Sequence, residues 1–158
     1  MVRTGLGIDT HPFAPGRPLI LGGVDIPHEL GLAGHSDADV LTHAVIDALL
    51  GAAGLGDIGL HFPDTDPRFE DADSLALLRT VVAYLGERGF AIGNVDATVV
   101  LERPKLAPFR EAIRDKLAST LGLAAGAVNV KATTGEGIGF VGRGEGAAAM
   151  AVATNEQR

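Results

Sequence analysis

An acid and an imidazole near the start of the chain have the spacing of a metal-binding pair. Asp9 and His11 are separated by a single residue, and positions i and i+2 of an extended segment point to the same side. One carboxylate and one imidazole can therefore converge on a single cation. The same pair is also compatible with a carboxylate that caps the backbone and a surface histidine, so a metal site requires a third ligand from elsewhere.

The third ligand has to be sought among the other histidines, because the chain has no cysteine. That absence excludes thiolate zinc clusters, CxxC redox sites and cysteine nucleophiles. The candidates are His28, His35, His43 and His61. His43 falls two turns into a helix predicted over residues 36–53, where it could also be a structural histidine. Asp9, His11 and His43 together would leave one position open for a substrate oxygen, the pattern of a catalytic zinc site. We interpret His28 and His61 as structural or surface residues.

The start of the same predicted helix is a candidate phosphate site. His35 and Ser36 lie at its N-terminus, and the exposed N–H groups and dipole of a helix N-terminus favour anions. Simple capping would need only Ser36, and it leaves His35 unexplained.

Residues 131–146 form a second candidate phosphate site. A predicted strand ends in Thr133 and Thr134, and Glu136 and a glycine-rich stretch with Arg143 follow. Glycine lets backbone N–H groups approach phosphate closely, Glu136 could bind a hard cation such as Mg²⁺, and Arg143 could clamp a phosphate. The alternative is a solvated loop arginine. The stretch is not a P-loop, and the chain has no Gly-x-Ser-x-Gly elbow, which argues against a covalent acyl mechanism.

A loop over residues 57–66 also contains polar groups that could bind a ligand. The segments Asp57-Ile-Gly59 and Phe62-Pro-Asp-Thr-Asp66 could hold a sugar-like diol or an ion. They could equally be ordinary turn chemistry, since Asp, Thr and Pro are common turn residues.

Composition restricts the class of protein. The 158 residues favour one domain over residues 1–158. Thirteen Lys and Arg against 20 Asp and Glu give a net charge of −7, which argues against a nucleic-acid partner. We see no apolar run long enough for a membrane helix and no signal-peptide pattern, so we expect a cytoplasmic protein. The 22 glycines and eight prolines fall short of a disordered composition, so many glycines should have positional roles.

Hydrophobic periodicity predicts an α+β fold. We expect a single mixed β-sheet with helices packed on one face, as a two-layer sandwich. Strands are predicted over 2–8, 94–101, 128–133 and 146–154, a hairpin over 18–27 with Gly22 and Gly23 at its turn, helices over 36–53, 73–89 and 108–121, and loops over 54–67 and 135–144. The alanine-rich last strand requires a close neighbour, which could be a helix or another subunit.

Taken in order, the motifs resemble one known family. They are Asp9-Thr-His11, His35-Ser36-Asp37-x-Asp39 with His43, Asp57-Ile-Gly59, Phe62-Pro-Asp-Thr-Asp66, Asn94-Val-Asp96, Pro104-Lys105, Asn129-Val-Lys-Ala-Thr-Thr134 and Gly139-Phe-x-Gly-Arg-Gly-Glu-Gly146. This set resembles the 2-C-methyl-D-erythritol 2,4-cyclodiphosphate synthases of the non-mevalonate isoprenoid pathway, from about residue 3 to residue 152.

The resemblance implies an oligomeric state, a reaction and a set of site residues. It implies a homotrimer with active sites between subunits, and a phosphorus–oxygen lyase that converts 4-diphosphocytidyl-2-C-methyl-D-erythritol 2-phosphate to the cyclic diphosphate and CMP. It implies one Zn²⁺ per subunit on Asp9, His11 and His43, and Mg²⁺ or Mn²⁺ near Glu136. His35 and Thr134 would stabilise the transition state. The implied substrate contacts are Asp9, His11, His35, Ser36, Asp57, Ile58, Gly59, Phe62, Pro63, Asp64, Thr65, Asp66, Leu101, Pro104, Lys105, Leu106, Ala107, Thr133, Thr134, Gly135, Glu136, Phe140 and Arg143.

The chain departs from the family pattern in two places, and the residues leave two other functions open. Gly135 stands where the family commonly has a third Thr, which removes one hydroxyl near the diphosphate. Glu102 and Arg103 are more charged than usual, and we expect them outside the pocket. The alternatives are a zinc phosphohydrolase that activates water at the same three ligands, and a non-catalytic, metal-stabilised trimer that binds a prenyl or nucleotide ligand.

Overall fold

A mixed five-stranded sheet forms one layer of the protein, whose 158 residues are all described by a computed structural model. The strands of this sheet are β1 (Val2–Ala14), β4 (Gly31–Leu32), β5 (Phe90–Val100), β6 (Val128–Thr133) and β7 (Gly146–Gln157), in the spatial order β4-β1-β7-β5-β6. Only β5 and β6 run parallel; the other neighbours are antiparallel. The predicted mixed sheet is confirmed.

The three long helices pack on one face of this sheet, as predicted. They are α1 (Val40–Ala53), α3 (Ser74–Glu87) and α4 (Arg110–Leu121), and the short helices are α2 (Ile58–His61) and α5 (Gly139–Gly142). The strand residues that face α1, α3 and α4 are buried, among them Val95, Ala97 and Val99 of β5. On the opposite face Leu6 and Ile8 of β1 stay exposed. No helix has both the length and the apolar character needed to cross a membrane.

The predicted hairpin forms a separate ribbon, so the expectation of a single sheet is wrong in this respect. Strands β2 (Leu19–Leu21) and β3 (Val24–Ile26) pair only with each other. Gly22 and Gly23 both have positive φ, as the tight turn of a two-residue hairpin requires. These glycines contact Ile113 of α4 and Leu75 of α3, so packing on the helices replaces pairing with the sheet.

Helix α1 lies unusually close to β1 because two glycines of the strand face it. A Cβ atom on Gly5 would be 2.0 Å from the Ala48 carbonyl oxygen, and one on Gly7 would be 1.9 Å from that of Ala44. The alanines of β7 that face α1 are also buried. For this face of the alanine-rich strand, the close neighbour is therefore a helix of the same chain.

Helix α1 begins at Val40, four residues later than predicted. Its N-cap is Asp39, whose carboxylate accepts a hydrogen bond from the Thr42 N–H at 3.0 Å. Ala38 has a φ of 56°, a left-handed conformation that no helix contains, and Ser36 accepts instead from the Ala38 N–H in a short turn. His43 consequently lies in the first turn of the helix rather than two turns from its start.

The remaining elements differ from prediction mainly at their ends. Helix α3 begins after its N-cap Asp73 as expected, and α4 begins at Arg110, after a 3₁₀ turn over Ala107–Phe109. Strand β1 continues to Ala14, β5 begins at Phe90 and β7 ends at Gln157. The two predicted loops each contain one short helix, α2 and α5.

Candidate active site

Three metal-ligand side chains converge where β1 passes the beginning of α1. Asp9 and His11 continue the face of β1 that Gly5 and Gly7 present to the helix, and His43 projects from the first turn of α1. Asp9 Oδ2 lies 2.8 Å from His11 Nε2 and 3.0 Å from His43 Nδ1, and the two ring nitrogens are 3.2 Å apart. The three side chains therefore present one ligand atom each to a common point.

This donor set fits a tetrahedral zinc ion. At bond lengths of about 2.0–2.1 Å, two ligand atoms of a tetrahedral zinc lie about 3.3 Å apart, so the observed spacings need to open by only a few tenths of an ångström. One carboxylate and two imidazoles are ligands that zinc accepts. The group could hold a metal ion and would leave a fourth position free for substrate.

The imidazole orientations suit this role. His11 Nδ1 donates to the Ala33 carbonyl at 3.0 Å, which leaves Nε2 directed at Asp9 and His43. His43 presents Nδ1 to the same point while Nε2 lies among hydroxyl groups. A ligand histidine whose other nitrogen is hydrogen-bonded has a fixed ring orientation.

Electrostatics keep the carboxylate of the group ionised. Burial by itself raises the pKa of Asp9, but the adjacent imidazoles of His11 and His43 outweigh it and lower the pKa to about 2. Burial lowers the pKa of His11, and its hydrogen bond to Asp9 more than compensates, so that this pKa is raised. The ionised Asp9 carboxylate therefore stabilises positive charge at this point.

A cavity of about 390 Å³ opens onto the three ligands. Several residues predicted as substrate contacts line it, so the structure brings them together with the ligands: His35, Ser36, Ile58, Gly59, Phe62, Pro63 and Asp64. His35 Nε2 donates to the Asp66 carbonyl at 2.9 Å, which holds the imidazole between two loops. The cavity is large enough for a small phosphorylated ligand.

Two carboxylates of the adjacent loop accept hydrogen bonds from backbone N–H groups. Asp57 caps α2 by accepting from the Leu60 N–H, and Asp66 accepts from the Arg68 N–H and forms an ion pair with its side chain at 2.7 Å. Neither residue lines the cavity. These hydrogen bonds are those of turn chemistry, one of the two interpretations of this loop, and the substrate-contact role of both residues stays a prediction.

The second group of predicted contacts lies elsewhere on the chain. Leu101 follows β5 and Thr133 ends β6, and the two are joined by the Leu101 N–H to the Thr133 carbonyl. Thr134 and Glu136 follow in an exposed loop, where Thr134 Oγ1 accepts from the Glu136 N–H. None of these residues lines the cavity beside the three ligands. Within one chain, His35 and Thr134 are therefore not brought together.

The comparisons with known proteins agree with this geometry. Residues 2–156 match the YgbB family. The chain belongs to the YgbB family. Over 153 residues it is 63% identical to the 2-C-methyl-D-erythritol 2,4-cyclodiphosphate synthase of Salinibacter ruber, covering 97% of this chain and 98% of the relative.

Solved structures place the YgbB chain in the same fold. A CDP-bound 2C-methyl-D-erythritol-2,4-cyclodiphosphate synthase is 40% identical, with a TM-score of 0.89 over 98% of this chain and 100% of that one. The bifunctional IspDF of Campylobacter jejuni is 46% identical, with a TM-score of 0.96. The YgbB chain matches it over its full length but spans only 43% of that longer protein.

Steric contacts explain why position 135 of this YgbB chain is a glycine. A Cβ atom there would be 2.7 Å from the Gly142 nitrogen and 3.0 Å from the Ile138 carbonyl oxygen. Backbone atoms cannot yield as a flexible side chain can, so a threonine would force the 135–142 loop apart. The absence of a side chain at position 135 thus accompanies a close approach of α5 to the loop.

Glu102 binds this same loop. Its carboxylate accepts from the N–H groups of Gly135 at 2.9 Å and Gly137 at 3.2 Å. The expectation that Glu102 lies outside the nucleotide pocket stays a prediction; the residue does not line the cavity of the three ligands. The structure shows in addition that the carboxylate occupies backbone N–H groups that could otherwise bind phosphate.

Sequence reasoning missed three residues around the three ligands. Arg17 donates to the carbonyls of Leu32, Gly34 and Ser36, and so holds the segment that carries His35. Ser74 contacts His43, and Asp37 contacts Ser74. Asp37 belongs to the family motif, but no functional role was predicted for it. Arg17 and Ser74 carry no motif that could have marked them.

Proposed function

We propose that this chain forms 2-C-methyl-D-erythritol 2,4-cyclodiphosphate from 4-diphosphocytidyl-2-C-methyl-D-erythritol 2-phosphate and releases CMP, as a phosphorus–oxygen lyase of the non-mevalonate isoprenoid pathway. Membership of the YgbB family and the identity to named synthases support it. The observation in the structure that carries it is the Asp9, His11 and His43 group at the edge of a cavity lined by His35 and Ser36.

The reaction needs alignment and charge neutralisation rather than a protein nucleophile. An oxygen of the 2-phosphate attacks the β-phosphorus and forms a new P–O bond. The bond from the β-phosphorus to the bridging oxygen breaks, and that oxygen leaves with the electron pair as part of CMP. Correct positioning of two groups in one molecule can contribute about 7–11 kcal/mol to such a step. The chain has to supply the alignment.

The residues beside the cavity have roles in this alignment. A zinc ion held by Asp9, His11 and His43 would supply Lewis-acid stabilisation of phosphate oxygens. His35, held by the Asp66 carbonyl, would stabilise negative charge that develops during the transfer. Phe62 and Pro63 form an apolar wall against which the methylerythritol carbon chain would pack. Ile58, Gly59 and Asp64 line the same cavity.

The cytidine diphosphate part would bind to the second group of residues. Leu101 and Leu106 have buried side chains, so they would contact the ligand through the backbone. Thr134 would stabilise the transition state together with His35, and Glu136 would hold Mg²⁺ or Mn²⁺ at the diphosphate. The other proposed contacts are Asp57, Thr65, Asp66, Pro104, Lys105, Ala107, Thr133, Gly135, Phe140 and Arg143. The bound CDP in a related synthase supports a cytidine nucleotide as ligand.

A homotrimer would unite the two groups of residues. His35 and Thr134 lie apart within one chain, so a shared site requires the second group from another subunit. The sheet face opposite the helices also exposes apolar side chains on paired strands: Leu6 beside Val152 and Ile8 beside Met150, at 61%, 40%, 56% and 43% exposure. A second and third copy would cover this face, with one zinc per subunit.

Product analysis tests the reaction. Purified protein is incubated with the cytidine-linked substrate, Zn²⁺ and Mg²⁺, and the products are separated by chromatography. We expect one CMP for each cyclic diphosphate and no inorganic phosphate. Release of inorganic phosphate would indicate the phosphohydrolase instead, and absence of turnover would indicate a non-catalytic protein. His43→Ala should lose zinc and activity together, whereas His28→Ala is the matched histidine control and should retain both.

Light scattering during gel filtration tests the assembly. We expect a trimer for the wild type and dissociation for Leu6→Glu, which places a charge in the middle of the exposed apolar face. Leu60→Glu is the matched control, because Leu60 is 70% exposed but lies on α2, away from that face. A monomeric wild type at micromolar concentration would contradict the shared site.

A further inference from the structure

We propose that Ser74 and Asp37 are positioning residues that orient His43 for metal binding, an inference that rests on the metal centre of the proposed function. Ser74 Oγ lies 2.8 Å from His43 Nε2, the nitrogen that faces away from Asp9 and His11. On its other side, Ser74 Oγ–H donates to Asp37 Oδ1. A continuous chain of contacts thus leads from the Asp37 carboxylate through one hydroxyl to the metal-facing ring.

The direction of each hydrogen bond in this chain follows from the chemistry of its members. An ionised carboxylate can only accept, and Asp37 accepts from the Ser74 N–H at 3.0 Å and from the Asp39 N–H at 3.1 Å as well. The Ser74 hydroxyl proton is therefore directed at Asp37. The lone pairs of the hydroxyl then face His43 Nε2, which must donate to make a hydrogen bond.

This direction selects one form of the histidine ring. When Nε2 of a neutral imidazole carries the proton, the lone pair is on Nδ1. His43 Nδ1 is the atom that lies 3.0 Å from Asp9 Oδ2 and 3.2 Å from His11 Nε2. Ser74 and Asp37 therefore favour the tautomer that can bind the metal, and they hold the ring plane in the direction that the other two ligands require.

The burial of Ser74 indicates that its hydroxyl has a role other than stabilising helix α3. Ser74 is the first residue of α3, but the cap of that helix is supplied by Asp73, which accepts from the Leu75 N–H. The Ser74 side chain is fully buried, although a hydroxyl is not needed at that helix position. Ser36 Oγ lies 3.1 Å from His43 Nε2 and also accepts from the Ala38 N–H, so it is a second, more distant oxygen at this nitrogen.

Zinc affinity of the resting protein tests the role without substrate. The full-length protein is titrated with Zn²⁺ against a chromogenic chelator. We expect Ser74→Ala to weaken zinc binding by about 10–100-fold, the usual effect of removing a partner of a ligand histidine. Asp37→Asn, in which one carboxylate oxygen becomes an amide donor, should weaken it by about tenfold. Ser119→Ala, at an exposed serine of α4, should match the wild type.

Two further measurements separate this role from a general loss of structure. The metal-free variants should show the circular dichroism spectrum of the wild type, because alanine fits the first turn of a helix. In the zinc-loaded wild type, proton NMR should show an exchange-protected His43 Nε2–H resonance, which should be lost or exchange rapidly in Ser74→Ala.

The outcomes distinguish this inference from the proposed function. If both variants bind zinc within about threefold of the wild type, the positioning role is wrong, while synthase activity of the wild type would still stand. If zinc binding falls together with the circular dichroism signal, Ser74 is structural and the inference also fails. A wild type that binds no zinc at all would overturn the metal centre and this inference together.

Discussion

A single methyl group at Gly7 should open the metal centre from a distance. In Gly7→Ala, the new Cβ would lie 1.9 Å from the Ala44 carbonyl oxygen and 2.7 Å from the Ala48 nitrogen. Ordinary van der Waals contact begins at 3.4 Å. Because close-packed backbone cannot yield in another way, β1 and α1 have to separate at this point by the difference from 1.9 Å, about 1.5 Å. Both atoms that would clash belong to the helix backbone, so no side-chain rotation relieves the contact.

The separation acts directly on the ligand spacing. His43 immediately precedes Ala44 in α1, and Asp9 is two residues beyond Gly7 in β1. If the helix moves as a rigid body, the Asp9–His43 distance grows from 3.0 Å to about 4.5 Å, well beyond the roughly 3.3 Å of two ligands on a tetrahedral zinc. We expect zinc affinity to fall by at least about tenfold and stability by about 1–3 kcal/mol, the usual cost of overpacking.

Gly51→Ala is the matched control on the same interface. A Cβ atom there would be 3.9 Å from Gly5 Cα and 4.0 Å from the Leu6 carbonyl oxygen, which is ordinary contact. Because Gly51 lies inside α1, alanine should stabilise the protein by up to about 1 kcal/mol and leave zinc binding unchanged.

Urea unfolding of the metal-free protein measures the stability change, and chelator competition measures the zinc affinity. If Gly7→Ala retains wild-type values in both measurements, the helix can move without separating the ligands, and the argument from close approach is refuted. If stability falls but zinc affinity does not, the displacement at Ala44 does not reach His43, and the link between Gly7 and the ligand spacing is refuted.

Three other predictions follow from the hydrogen bonds and charges. Asp39→Ala removes the buried acceptor of four hydrogen bonds and should lower the free energy of unfolding in urea by about 3–5 kcal/mol. The control Asp73→Ala, at an exposed cap, should lower it by about 1 kcal/mol. Equal losses would contradict the link between the hairpin and the helix. Glu102→Ala removes the acceptor that orders the loop at Gly135 and Gly137 and should raise KM for the cytidine-linked substrate by about tenfold with little change in kcat, because the loop then has to become ordered when the substrate binds; an unchanged KM would refute this. The ammonium of Lys131 lowers the pKa of Asp96, so the stability from this pair is present at neutral pH and lost as the pH falls through that lowered pKa. Since the pair is exposed, Asp96→Asn should lower the free energy of unfolding by less than about 0.5 kcal/mol near neutrality and should flatten its dependence on acid pH. An unaltered acid dependence would count against the pair.

The ligand pair and the hairpin were predictable because their signals are local. An i, i+2 spacing on a strand fixes the relative direction of Asp9 and His11 without knowledge of the fold. Two adjacent glycines between short apolar segments indicate a tight turn in the same way. The periodicity of α3 and its N-cap Asp73 are also contained in one stretch of the sequence.

The beginning of α1 was not predictable from local signals. Ser36 and Asp39 are both good N-cap residues, and the choice between them depends on contacts far away in the sequence. Asp39 caps the helix because its carboxylate also accepts from Gly22 and Gly23 in the hairpin turn. The hairpin is for the same reason attached to the helices rather than to the sheet, which is where the prediction of a single sheet went wrong.

The close approach of β1 and α1 explains part of the glycine content in a way that a phosphate site does not. Gly7 lies in a regular strand, where a glycine ordinarily weakens structure, and it contacts no ligand residue. Its effect is to let α1 approach β1 closely enough for His43 to reach Asp9 and His11. Because the hydroxyl of Ser74 then defines the direction of the His43 ring, the metal centre depends on three separate elements, β1, α1 and α3. We therefore expect substitutions at their contacts to alter metal affinity even where they touch no ligand atom.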